Sequence, residues 1–191
     1  MTEPNFPSPI AQHRRDDLGV HLFGLTLILT AGSFIVFKAI GELQIQLVIA
    51  LAVYVLCALA SNLASIAYHF SPWHAHRKLL RRIDHAAIYP SISGTFTPFF
   101  VQAGTSWTLF LLGLCWLLTV LAIWNKITNV TVKSNWSTAS YLGLGAIGLL
   151  ALPDLNGVPS ATIWYIIAGA AAYVVGTGFY ARKTMPYRYS I

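Results

Sequence analysis

Charge is what this sequence has least of. Only 9% of its 191 residues are charged, and just six are acidic. A soluble domain carries about a quarter charged residues, so a solvated globule is excluded and an integral membrane protein is expected. Cysteine is equally scarce. Cys57 and Cys115 both stand in the middle of apolar runs, which argues against a disulfide framework. No cleavable leader is expected either: residues 1–17 are polar, hold Pro4, Pro7 and Pro9, and precede a span-length apolar run with no small-residue cleavage site. The net charge of +6 does not imply nucleic acid, because the bases sit at the ends of apolar runs, as topology signals do.

What the chain does have is long hydrophobic runs, with 56% apolar residues. After a polar tail over 1–17, spans are expected over Leu18–Phe37, Ile45–His69, Ile83–Ala103, Trp107–Trp124, Trp136–Pro153 and Ala161–Ala181. Each approximates the roughly 17–25 residues that cross a hydrocarbon layer. Trp107 and Trp124 lie about 26 Å apart along a helix, which puts an indole at each interface. Lys38 and Glu42 have the spacing of an ion pair. Residues 70–82 read as a short interfacial helix, with Trp73, Leu79, Leu80 and Ile83 on one face and Arg77, Lys78, Arg81 and Arg82 on the other. Pro90 is expected to kink the third span. Gly143, Gly145 and Gly148, and Ala168, Ala172 and Gly176, read as positions of close helix packing. Sequons at Asn129 and Asn135 read as chance composition. With six spans, eleven of the twelve basic residues fall on one side, which the positive-inside rule makes cytoplasmic together with both ends of the chain.

Most of the polar chemistry is gathered between Ser65 and Pro98. Asn62, Ser65 and His69 share a face at the end of the second span. Asp84, Ile88, Ser91, Thr95 and Pro98 form a stripe along the third, beginning at the same depth. His21 and His85 lie nearby. Ionisable groups at that depth are costly, so they suggest a site. Imidazole and carboxylate in a partly dry pocket suit zinc, which lowers the pKa of a bound water to about 7. Each residue also has a plain structural reading. Asp84 alone is equally a helix cap paired with Arg81 or Arg82, His69 a hydrogen-bonded helix end, and Ser65 a hydroxyl bonded to its own backbone. His74 and His76 read as solvated, and His21 and His85 as packing or network members.

Three segments carry a family signature: Ser65-x-x-Tyr68-His69, Arg82-x-Asp84-His85-x-x-Ile88-Tyr89 and Gly94-Thr95-Phe96-Thr97-Pro98. The chain resembles the hemolysin III family, related to the adiponectin and progestin receptors and more remotely to alkaline ceramidases. His21-Leu22-x-Gly24 is similar to the family's first helix, and Tyr173-x-x-Gly176-x-x-Phe179-Tyr180-Ala181-Arg182-Lys183 to its sixth. The resemblance implies an all-α transmembrane bundle of seven helices with a zinc on the cytoplasmic side. It further implies His69 as a zinc ligand, Asp84 as holder of the zinc-bound water, and Ser65 as the residue that positions the reacting group. The family's two remaining histidines, a His-x-x-x-His in the seventh helix, do not occur in these 191 residues. The chain is therefore expected to be a hemolysin III-type domain over 18–191 that lacks the last helix.

Three activities compete. A zinc-dependent hydrolase of a lipid amide or ester ranks first, a lipid-sensing receptor with structural zinc second, and a pore-forming cytolysin third. Membrane lipids are the expected partners in each, and the chain is expected in a bacterial inner membrane.

Overall fold

The computed structural model describes residues 6–8, 10–129, 134–155 and 158–181. Among these residues the architecture is all-α and contains no strand. Six helices follow one another: α1 (Ala11–Ala39), α2 (Ile45–Phe70), α3 (Arg77–Ala103), α4 (Ser106–Thr128), α5 (Ser134–Leu149) and α6 (Ser160–Ala181). Three of them, α1, α2 and α4, are long and apolar enough to cross a membrane. Their outward faces are those of a lipid-embedded bundle. Phe34, Phe37, Leu56, Phe110 and Leu117 are all exposed, as are Trp107 (47%) and Trp124 (71%) near the two ends of α4.

Several boundaries differ from expectation: α4 runs on to Thr128 rather than Trp124, α5 stops at Leu149 rather than Pro153, and two further differences bear on the site. Helix α1 begins at Ala11, so Asp16 and Asp17 belong to its second turn and not to a tail. Helix α3 begins at Arg77, directly after a 3-10 turn over His74–His76, so residues 77–82 are its first turns and not a separate interfacial helix. Nothing between Arg77 and Ile83 breaks a helix, which explains the continuity. The helix also runs on through Pro90 and Pro98. It ends at Gly104, whose φ of 64° is left-handed and therefore suits glycine. Thr105 and Thr108 then form a capping box that starts α4.

Close backbone approach sets how α1, α2 and α3 sit together. A Cβ at Gly32, inside a π-turn over Ile28–Gly32, would come 2.8 Å from Val55 on α2. One at Gly94 on α3 would come 2.9 Å from Cβ of Cys57, also on α2. Gly148 on α5 has the ring of Phe96 pressed against it. By contrast, Gly143, Gly145 and Gly176 meet nothing within 4 Å, so of these glycines only Gly148 serves close packing.

The buried polar face of α3 lies beside the expected stripe, not on it. Thr95 is exposed and donates to the carbonyl of Ser91, whereas Ser93 and Thr97 are buried. Ser93 Oγ meets Thr119 Oγ1 at 2.7 Å and the carbonyl of Cys115 at 3.2 Å, and Trp116 Nε1 donates to Thr97 Oγ1 at 3.1 Å. These bonds tie α3 to α4 in the buried interior. No ion pair joins Lys38 to Glu42: α1 stops at Ala39, and Gly41 turns the chain with a φ of 83°. The segments 130–133 and 182–191, which include part of the sequon region and the stretch after the sixth span, lie outside the described residues.

Candidate functional site

The site is built where the start of α1 meets the end of α2. Asp17 and His21 are one turn apart on α1, and Ser65 and His69 one turn apart on α2. Two pairs therefore face each other in register. Asp17 is 1% exposed, an unusual position for a carboxylate. Its Oδ2 lies 2.6 Å from Nδ1 of His69, and its Oδ1 lies 3.2 Å from Nδ1 of His21. His21 Nε2 is 2.9 Å from Ser65 Oγ.

The contacts fix the tautomer of His21. Its Nδ1 also lies 2.8 Å from the backbone carbonyl of Asp17, and a carbonyl only accepts. Nδ1 therefore carries a proton, and in the neutral ring Nε2 offers its lone pair to the Ser65 hydroxyl. Asp17 Oδ1 is buried with no hydrogen-bond partner. It stands beside the ring that would become positive if His21 took the serine proton.

The surrounding residues hold this end of the bundle closed. Arg77 donates to the carbonyls of Tyr68 and Ser71, the latter at 2.6 Å, and lies 3.0 Å from His74 Nδ1. That knot ends α2 and begins α3. Phe6 packs edge-on against His74 at 4.9 Å, and the guanidinium groups of Arg14 and Arg77 lie 5.1 Å and 5.5 Å from its ring centre. His74 is thus engaged, not simply solvated. Asn62, one turn before Ser65, lies against α1 at Gly24, where an added Cβ would come 3.0 Å from its Nδ2.

Of the residues singled out from the sequence, Ser65 and His69 are brought together on α2, each bonded to a partner on α1. Asp84 makes no direct ion pair with His69: it lies 3.4 Å from His85 on the same helix. The carboxylate that meets His69 is Asp17. The missed signal was its four-residue spacing to His21, masked because Arg14-Arg15-Asp16-Asp17 reads as a solvated charge run.

Zinc can be tested against this donor set. A catalytic zinc takes three protein ligands. Among the described residues, no group of three or more His, Cys, Asp or Glu side chains is arranged to hold a metal ion. Both nitrogens of His21 and Nδ1 of His69 are engaged. His69 Nε2 is the one histidine nitrogen of this group without a hydrogen bond. The described residues alone do not supply the three ligands of a catalytic zinc.

Comparison with known proteins agrees with the architecture. A family model described as "Haemolysin-III related" matches residues 18–191. Two curated relatives align over 175 residues, 90% of this chain. They are "Hemolysin-3" of Bacillus cereus, 28% identical with 79% of its length covered, and "Hemolysin-3 homolog" of Bacillus subtilis (strain 168), 29% identical with 81% covered.

Proposed function

This chain belongs to the haemolysin-III-related family, and we propose that it is a membrane-embedded hydrolase of a lipid ester or amide acting through Ser65, His21 and Asp17. The observation that carries the reading is the His21 ring, whose Nε2 meets Ser65 Oγ at 2.9 Å and whose Nδ1 lies 3.2 Å from the buried Asp17 carboxylate. Serine, histidine and aspartate in that order form an arrangement that recurs on unrelated folds and is recognised by geometry, not by sequence order.

The chemistry follows from the tautomer. As Ser65 Oγ attacks the acyl carbon, its proton passes to Nε2 of His21. The imidazolium then lies 3.2 Å from Asp17 Oδ1. At an effective dielectric of about 20, that separation is worth ~5 kcal/mol of attraction. His21 returns the proton to the departing alcohol or amine, leaving an acyl group on Ser65. Water, deprotonated by the same nitrogen, releases the acid and restores the hydroxyl. His69 is a positioning residue, holding the Asp17 carboxylate from its other oxygen. Leu18, Val20 and Leu22 on the outer surface of α1 are exposed. A lipid with its acyl linkage at headgroup depth can therefore approach from the side.

The same reading places this end of the bundle, with the basic residues of the α2–α3 connection, on the cytoplasmic face of a bacterial inner membrane. Reporter fusions at each connection test that placement. The names of the Bacillus relatives favour a second reading, membrane lysis, in which dye escapes from sealed liposomes carrying the protein.

The deciding experiment offers lipid esters and amides in nanodiscs to the full-length protein, with a fluorophosphonate as a separate probe of serine nucleophilicity. Turnover and labelling at Ser65 are expected, both lost in Ser65→Ala and His21→Ala. A Ser65→Ala protein that hydrolyses lipid at the wild-type rate overturns the assignment.

A further inference from the structure

A second polar cluster, separate from Ser65, lies over an open-sided cavity of about 470 Å³ bordered by α3, α4 and α5. Tyr89, Leu118, Leu121, Leu144 and Ile147 form most of its wall, and Lys126 and Ser137 stand at its head. The volume is within the roughly 300–1,000 Å³ of ordinary ligand sites. Lys126 is only 9% exposed, and its ammonium group donates to Ser137 Oγ. Arg82 Nε donates to the Lys126 carbonyl at 3.2 Å, and Arg81 is within electrostatic range of the ammonium.

Three cations thus lie near one another, and of them Lys126 lines the cavity itself. Among the described residues, none of them is paired with a carboxylate, since the ion pairs there all join histidine to Asp17 or Asp84. A largely buried ammonium satisfied by one neutral hydroxyl is short of an anion. The wall below it is aliphatic and aromatic. Leu121 lines the cavity while being 54% exposed, so the opening faces sideways, where the surrounding lipid would be.

We propose that this cavity binds an anionic phospholipid, with the phosphate held by Lys126 and by Arg82 beside it, and one acyl chain lying along Tyr89, Leu118 and Ile147. A basic pocket between membrane helices suits such a headgroup. A soluble phosphate would gain nothing from the apolar wall. The site shares no residue with the Ser65 array and does not depend on hydrolysis there.

Native mass spectrometry of the full-length protein tests it. The protein is released from nanodiscs holding equal phosphatidylglycerol and phosphatidylcholine, and the retained lipid is counted. Wild type is expected to keep phosphatidylglycerol in preference, even with excess inorganic phosphate present. Lys126→Gln and Arg82→Gln should each lower retention about fivefold, the loss that follows from one cation near a headgroup, while Lys126→Arg keeps it. Gly143→Leu tests the chain: Gly143 lines the cavity and has open space where a side chain would go. That variant should expel the lipid with every charge intact.

Equal retention of the neutral lipid, or unchanged retention in both Gln variants, overturns the proposal. So does displacement by phosphate, or a Gly143→Leu protein that binds as before, because the chain would then not occupy the cavity. If Lys126→Gln does not fold, Arg82→Gln and Gly143→Leu decide.

Discussion

Two carboxylates compete for the role of partner to the histidines, and an Asp→Asn change at each separates them. Asp17 is buried, 2.6 Å from His69 and 3.2 Å from His21, whereas Asp84 is partly exposed and pairs with His85. Asparagine at 17 keeps the shape and can still accept from His69 Nδ1, so the fold should survive. Exchanging the charge-assisted bond for a neutral one is expected to cost about 1 kcal/mol of stability. The effect on rate should be larger, because the ~5 kcal/mol attraction on the imidazolium disappears. Part of that attraction is already offset by the cost of burying the charge. A loss of about 10²–10⁴ in turnover is therefore expected, equivalent to roughly 3–5 kcal/mol. Asp84→Asn should change turnover less than about fivefold, since a partly exposed pair contributes at most about 1 kcal/mol. The assay is acyl release from lipid esters in nanodiscs, with thermal unfolding measured beside it. If Asp84→Asn falls as far as Asp17→Asn, or Asp17→Asn keeps wild-type turnover, the path from Ser65 to Asp17 is not the reaction path.

Three further outcomes can be checked on the same protein. Asp17 and His69 should show a coupling energy of about 1.5–3 kcal/mol in a double-mutant cycle of thermal stability, because their bond joins a buried charge to its donor; a coupling near zero would remove the α1–α2 tie. Gly94→Ala should destabilise by about 1–3 kcal/mol, measured as unfolding in detergent, since its new methyl meets a Cβ that cannot swing aside, and Cys57→Gly should recover part of that loss. If zinc copurifies with the full-length protein, His69 Nε2 is its available donor here, so metal content should fall in His69→Ala and be unchanged in His85→Ala.

The helices themselves were legible, because long apolar runs between polar breaks leave a chain few alternatives in a bilayer. The start of α2 and the ends of α3 and α6 fall where hydropathy places them. The polar stripe Asn62–Ser65–His69 was legible for the same reason: residues three and four apart on one helix share a face whatever the neighbours do. What faces that stripe is a different kind of fact. Asp17 and Asp84 both lie within about two turns of a helix start, and a run of charges beside Asp17 makes it read as part of a polar tail. The choice is made by rotation of the helices about their axes, and that rotation is set by points of closest approach. Gly32 against Val55 turns α1 so that Asp17 and His21 meet α2, and Gly94 against Cys57 turns α3 so that Ser93 and Thr97 face inward while Asp84 is left beside His85. A glycine is visible in a sequence, but the side chain it meets is not. Depth in the membrane can therefore be read along one helix, whereas the pairing of charges between helices needs the contacts that fix their rotation.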